Sequence, residues 1–189
     1  MDYRPFYQLP YCCVPATLQW ILYRRKLDIL DQETIGAELG LRLPEKGRSR
    51  FKHPQIKFLA SEPREGYGTQ IEKKKYSINN FFRSHSIPLS ISGQIIPKDR
   101  ENLISRFLFG QESNYDVILR YHTGIYGSEK GYGHFSLLIA YNSEKDTFTV
   151  GNPELPFFRV LSTEEVFTAI SSKYDGIQRG LYFVTGKKK

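Results

Sequence analysis

Residues 8–26, QLPYCCVPATLQWILYRRK, place two adjacent cysteines directly before a segment with helical periodicity. Pro15 suits the first turn of a helix, and the apolar residues after it recur at helical spacing up to a cationic end. The pattern predicts a helix from Pro15 to Lys26 with Cys12 and Cys13 at its N-terminus. Because the amides and dipole at a helix N-terminus stabilise a thiolate, Cys13 is a candidate nucleophile and Cys12 a second one. The alternative is that both are small core residues.

Outward from this segment, helical patterns come first and strand patterns later. Asp31, Ser77 and Asp99 are good N-caps, and Gly40 and Gly110 are expected to end helices. This order predicts an α+β fold whose later strands form a mostly antiparallel sheet. The expected helices cover about 31–39, 77–85, 99–110 and 163–172, and the expected strands cover 87–92, 116–121, 134–141, 147–150 and 181–185.

The length and composition predict one domain. The chain has 189 residues, 40% of them hydrophobic, which is enough for one core, so we expect a single domain over 1–189. The segment 42–68 is rich in proline, glycine and charge and is expected to be a loop or lid insertion, and 187–189 is a basic tail. The longest apolar stretch, 135–141, is far short of the roughly 20 residues that span a bilayer. No apolar leader follows the N-terminus, so the expected location is the cytoplasm.

Charge and cysteine content exclude further classes of function. The net charge is +7, but the lysines and arginines are scattered and form no stripe with interleaved aromatic residues, so nucleic-acid binding is not expected. One alternative function, a small basic protein that binds acidic partners, stays open on the net charge alone. Two neighbouring cysteines cannot build a disulfide framework.

A nucleophilic thiol needs a base, and the chain has four histidines. Those at positions 53, 85 and 122 are most simply solvated or structural. His134 is preceded by the flexible entry 131–133 and opens an apolar strand that would fix its direction. His134 is therefore the candidate base.

The hairpin after His134 brings a second polar side chain into range. If residues 143–145 form the turn, Asn142 pairs with Asp146 and Asn152 lies diagonal to His134 on the same face. The Asn152 amide oxygen can then accept a hydrogen bond from the imidazole and fix its tautomer. A simple turn at Asn152-Pro153 is an equally weighted alternative.

Gln8 lies five residues before Cys13. On a short loop its side-chain amide can reach the space in front of the sulfur. Together with the Cys13 backbone N–H, it can bind the oxyanion of a tetrahedral acyl intermediate.

Four motifs then form a pattern: Gln8, CVPATL at 13–18, GHFS at 133–136 and Asn-Pro at 152–153. Together they resemble the papain-like cysteine peptidases, and the most similar pattern is that of the double-glycine leader (bacteriocin-processing) peptidases. The resemblance implies a papain-like fold in which N-terminal helices, with the nucleophile at a helix N-terminus, pack on a C-terminal antiparallel sheet. It implies Cys13 as nucleophile, His134 as general base and acid, Asn152 as orienting residue and Gln8 as oxyanion donor. A peptide or protein substrate is implied, with no metal and no organic cofactor.

Other functions stay open beside this resemblance. Val14 stands where the family often has glycine, and the spacing from Gln8 to Cys13 is one residue shorter than the commonest family spacing; both favour a catalytically inactive domain that binds a peptide. The GHFS motif is also similar to that of the phytochelatin synthases, and deamidation of glutamine or transpeptidation would use the same thioester. The sequence indicates neither the substrate nor the oligomeric state.

Overall fold

The computed structural model describes residues 3–64, 66–126, 132–172 and 179–186. The chain forms two compact units, Asp2–Ser90 and Ile91–Lys189. The predicted basic tail at 187–189 and the first residue of the predicted entry 131–133 lie outside the described residues. None of the helices in the described part of the chain has the length and apolar character needed to cross a membrane.

The first unit is built mainly from helices. Their ends follow the local signals in the sequence: the Asp31 side chain accepts a hydrogen bond from the Thr34 N–H, and the Ser77 side chain accepts one from the Asn80 N–H. Gly40 has a φ of +71°, the left-handed conformation that closes a helix. The helices are α1 Cys13–Arg24, α2 Gln32–Glu38 and α3 Ile78–Ser84, and the strands are β1 Arg42–Pro44 and β2 Lys57–Leu59.

The segment 42–68 is more ordered than the predicted loop. Its strands β1 and β2 pair in parallel, and a 3₁₀ helix, Glu45–Arg50, lies between them. The Glu33 carboxylate accepts hydrogen bonds from the backbone N–H groups of Lys52 and His53, at 2.6 and 2.7 Å. The loop prediction was wrong for the two strands because three residues are too few to show an alternating pattern. A small core joins this segment to its neighbours, and its members are Cys12, Ala37, Leu41, Leu43, Phe51 and Ile56.

The second unit is an antiparallel sheet with two helices packed on it. The strands are β3 Leu89–Ile91, β4 Asp116–His122, β5 Gly133–Asn142, β6 Thr147–Gly151, β7 Phe158–Ser162 and β8 Gly180–Gly186, and the helices are α4 Arg100–Glu112 and α5 Thr163–Ser171. The chain passes from the first unit to the second within β3. The strands of the second unit pair in the order β8, β4, β5, β6, β7, with β7 at one edge.

Apolar side chains from both helices pack against one face of this sheet. Phe107 of α4 meets Phe148 of β6 edge to face, with 5.3 Å between the ring centroids. Val166 and Ile170 of α5 are buried in the same cluster. The mixed α+β fold expected from the sequence is confirmed.

One expectation for this unit was wrong, and one strand was not predicted. Gly110 does not end α4, which continues to Glu112. A Cβ atom at Gly110 would lie 2.8 Å from side-chain atoms of Phe183 and Val117, so the glycine permits close packing of the helix on the sheet. Strand β7 was missed because its apolar residues point to both faces: Leu161 is buried, whereas Val160 is 68% exposed at the edge.

Candidate active site

A tight turn precedes α1, and Cys13 is the first residue of that helix. The Cys12 N–H donates to the Leu9 carbonyl at 2.9 Å, and Tyr11 has a φ of 64°. Pro10 followed by a positive φ at Tyr11 is the pattern of a type II β-turn. Cys13 is half-buried, and the first turn of α1 holds no acidic side chain. The position therefore has the electrostatics that favour a thiolate.

The two adjacent cysteines differ in environment. Cys12 is fully buried in the small core of the first unit. Burial, together with the negative charges of Cys13 and Glu33, raises the pKa of the Cys12 thiol well above its usual value. A thiol that stays protonated and inaccessible is a poor nucleophile, so the structure favours Cys13 over Cys12.

Gln8 lies on the short segment before the same turn. Its side chain is buried, 8% exposed, and its backbone neighbours are held by side chains of α1 and α2. The first unit thus contains the predicted nucleophile and the predicted oxyanion donor on one short stretch of chain.

His134 and Asn152 lie in the second unit, near the start of β5 and directly after β6. The Asn152 Oδ1 atom lies 2.8 Å from the His134 Nε2 atom. The geometry predicted from the hairpin for these two side chains is present.

The register that produces this contact differs from the prediction near the turn. The turn contains residues 143–146, so Asn142 faces Thr147 and the predicted pairing with Asp146 was wrong. An irregularity between Leu138 and Ala140 then adds one residue to β5. The longer turn and the bulge each shift the pairing by one residue, in opposite directions. The predicted pairing between β5 and β6 is therefore restored between the bulge and His134.

The hydrogen bonds of Asn152 define the tautomer of His134. The Glu154 backbone N–H donates to Asn152 Oδ1 at 3.3 Å. Because a backbone N–H can only donate, the Asn152 atom between the two partners is the oxygen. The His134 Nε2 atom must then carry the hydrogen, which leaves the lone pair on Nδ1. Among the described residues, the buried Nδ1 atom has no hydrogen-bond partner.

The environment of His134 favours the neutral imidazole. The side chain is 1% exposed, and its ring meets those of Tyr121 and Tyr132 edge to face. Burial is the main reason that the pKa of His134 is lowered, and the charge of Arg159 acts in the same direction. The charge of Glu154 and the hydrogen bond to Asn152 oppose this shift in part. A neutral imidazole with a free lone pair on Nδ1 can accept a proton.

The other histidines have local structural roles. The His85 Nε2 atom lies 2.5 Å from Glu38 Oε1, and the His122 Nδ1 atom accepts from the Gly124 N–H at 3.1 Å. The His53 Nδ1 atom accepts from the Gln55 N–H at 3.3 Å. Within the described ranges, no group of three or more His, Cys, Asp and Glu side chains could hold a metal ion.

Two residues around the pair, Tyr132 and Glu154, were not predicted as part of the site. The Tyr132 hydroxyl donates to the Glu154 carboxylate, at 3.1 Å from each oxygen. Glu154 also fixes the Asn152 amide through its N–H. The signal was present: an asparagine that accepts from the N–H two residues later forms an Asx turn, which is common at Asn-Pro-X corners.

Comparison with known proteins gives a match in structure only. No family model matches the chain, and no curated protein matches it. Among solved structures, the peptidase domain of Streptococcus ComA is similar to it, with a TM-score of 0.55 and 12% identity over 99% of this chain and 100% of that domain. The chain has a papain-like peptidase fold. ComA is described as a bifunctional ABC transporter involved in a quorum sensing pathway. The papain-like fold confirms, at the level of the fold, the resemblance found in the sequence.

Proposed function

We propose that this protein is a papain-like cysteine peptidase or amide hydrolase that acts on a peptide or protein through a thioester at Cys13. The observation that carries the proposal is the hydrogen bond between Asn152 and His134, which leaves the Nδ1 lone pair available in a chain of papain-like fold. The position of Cys13 at the N-terminus of α1 supplies the matching nucleophile.

The proposed reaction has two steps. In the first, His134 Nδ1 takes the proton of the Cys13 thiol, the resulting thiolate attacks the amide carbonyl, and the same proton passes from Nδ1 to the leaving amine as the carbon–nitrogen bond breaks. In the second, His134 takes a proton from water, which attacks the thioester and releases the carboxylic acid and the thiol. The Gln8 side-chain N–H and the Cys13 backbone N–H stabilise the oxyanion in both steps.

The catalytically inactive binding domain is the second candidate, and the sequence features that favour it are Val14 and the short spacing from Gln8 to Cys13. Val14 is buried, at 3% exposed, so its side chain is not available to crowd the approach of a substrate. The spacing of Gln8 is then the feature that still favours the binding domain.

Alkylation of the thiols by iodoacetamide between about pH 5 and pH 9 tests the proposal, because only a thiolate reacts rapidly. Peptide mapping separates Cys12 from Cys13. We expect rapid labelling of Cys13 in the acid range in the wild type and slow labelling in His134→Ala. Slow labelling with a midpoint near the ordinary thiol pKa of about 8.5, unchanged in His134→Ala, would refute the thiolate and favour the binding domain.

Mass spectrometry of the products separates the possible outcomes of the thioester. Hydrolysis gives a free acid from a cleaved peptide, and deamidation gives an intact peptide with glutamate in place of glutamine. Acyl transfer gives an adduct when a primary amine is added. We expect the free acid of a cleaved peptide.

A further inference from the structure

Gln32, the first residue of α2, is a buried polar side chain with three hydrogen bonds. Its Nε2 atom donates to the Tyr7 carbonyl at 2.8 Å and to Gln19 Oε1 at 3.0 Å, and its Oε1 atom accepts from the Leu9 N–H at 2.7 Å. Both donors and one acceptor site of the amide are therefore used. Gln19 is fixed in turn, because its Nε2 atom donates to the Leu30 carbonyl at 2.8 Å.

Two of these bonds go to the residues on either side of Gln8. The carbonyl of Tyr7 and the N–H of Leu9 both bind the same planar amide of Gln32, so the backbone that carries Gln8 is held at two points. The preceding residue is held as well, because the Trp20 Nε1–H donates to the Phe6 carbonyl at 3.0 Å. After Leu9, the turn leads directly to Cys13.

This arrangement fixes a segment that has no regular secondary structure of its own. Residues 3–9 belong to no helix or strand, so no ladder of main-chain bonds fixes the direction of the Gln8 side chain. An oxyanion donor acts only when its N–H lies about 2.7–3.1 Å from the place where the charge develops. Small shifts of the Gln8 backbone would therefore weaken the donor strongly.

We propose that Gln32 is a positioning residue for the oxyanion site, which acts by holding the backbone on both sides of Gln8. Gln32 does not touch the substrate in this proposal. The inference rests on the proposed function, because it assumes that Gln8 donates to an oxyanion formed at Cys13.

Comparing the rates of two reagents that react with the same thiol tests this positioning role. p-Nitrophenyl acetate acylates Cys13 through a tetrahedral oxyanion, whereas iodoacetamide alkylates it by direct displacement without one. The ratio of the two second-order rate constants therefore reports oxyanion stabilisation and cancels changes in the thiolate itself. We expect Gln32→Leu to lower this ratio by roughly 10- to 100-fold, somewhat less than the loss of an oxyanion donor.

A double substitution separates positioning from general structural damage. If Gln32 acts through Gln8, Gln32→Leu has little further effect on the ratio in a Gln8→Ala background. Gln70→Leu is the matched control, because Gln70 is another buried glutamine of the first unit, bonded to the Gly68 carbonyl. We expect this control to lower the thermal midpoint and to leave the ratio unchanged.

The outcomes distinguish this inference from the proposed function. An unchanged ratio in Gln32→Leu, or an equal fall in both backgrounds, overturns the positioning role. If Gln32→Leu does not fold, Gln32→Glu replaces it: the Leu9 bond is kept, the donors to Tyr7 and Gln19 are lost, and the ratio is again expected to fall. A wild-type protein whose Cys13 has ordinary reactivity toward both reagents refutes the proposed function itself.

Discussion

The segment 6–12 of the first unit and the β5–β6 hairpin of the second hold their candidate residues in different ways. Buried side chains, Gln32 and Trp20, fix the irregular segment that carries Gln8. In the hairpin, a main-chain ladder with a bulge brings His134 and Asn152 together. A ladder spreads its stabilisation over many backbone bonds, whereas a single side chain can be removed by one substitution. The first region is therefore expected to be the more sensitive to mutations away from the reacting groups.

The largest effect should come from Cys13, which directly follows segment 6–12, and a much smaller one from Cys12, the last residue of that segment. Cys13→Ala removes the nucleophile and should lower the acylation rate by roughly 10⁴-fold or more. Cys12→Ala removes a buried sulfur from the core and should cost about 1 kcal/mol of stability while acylation continues. Acylation by p-nitrophenyl acetate and urea unfolding measure the two quantities. Loss of acylation in a folded Cys12→Ala protein would contradict the assignment of the nucleophile.

The next effect tests the hairpin. Asn152→Ala removes the acceptor that holds the His134 tautomer and should lower the acylation rate by roughly 10²- to 10⁴-fold. Asn142→Ala is the control in the same hairpin, because the Asn142 side chain accepts from the Lys145 N–H in the turn, away from His134. We expect this control to change the rate less than about twofold, since the ladder keeps the register. Equal losses in both variants would show that the hairpin, and not the Asn152 contact, sets the rate.

The third prediction compares the loss of stability caused by one substitution that affects segment 6–12 with that caused by one substitution in the hairpin. Trp20→Phe leaves the Phe6 carbonyl without its donor and should lower the free energy of unfolding by about 1–3 kcal/mol. Thr149→Ala, on the half-buried face of β6, keeps the ladder and should cost less than about 1 kcal/mol. Urea unfolding measures both. A larger cost for Thr149→Ala would reverse the comparison.

The smallest effect concerns the charge beside His134. Because the charge of Glu154 raises the pKa of His134, Glu154→Gln should lower that pKa further. NMR titration of the His134 ring in a Cys13→Ala background measures the shift without interference from the thiolate. Glu164→Gln, on α5, serves as a control for the loss of one negative charge. A rise in the pKa would contradict the electrostatic argument.

The lowered pKa of His134 also links stability to pH. Burial disfavours the protonated ring in the folded state, so the stabilisation is present above the unfolded pKa of about 6.5 and is lost as the pH falls below it.

Local signals in the sequence predicted much of the fold. The N-caps at Asp31, Ser77 and Asp99 lie within three residues of the groups they bind, so each could be recognised without knowledge of the fold. The role of Gly110 could not be predicted in this way, because the side chains that pack against it belong to β4 and β8, which are distant in the sequence.

The residues of the candidate site also differ in whether their partners lie close in the sequence. Asn152 could be placed beside His134 by counting along one hairpin, although the count succeeded only because the longer turn and the bulge cancelled. Gln32 could not be found, because its partners Tyr7 and Leu9 lie 25 and 23 residues away and are backbone groups, which leave no mark in the sequence.

The burial of Cys12 has a consequence for the redox chemistry of the site. A sulfenic acid formed at a reactive cysteine is commonly rescued when a second, accessible thiolate condenses with it to a disulfide. Cys12 is the other of the two cysteines in the sequence, but it is buried in the core with its pKa raised, and a ring between adjacent cysteines is strained. Cys12 is therefore a poor resolving thiol for Cys13. If Cys13 is the proposed nucleophile, its recovery from oxidation should depend on a thiol of another molecule, and prolonged exposure to peroxide should end in an irreversible acid.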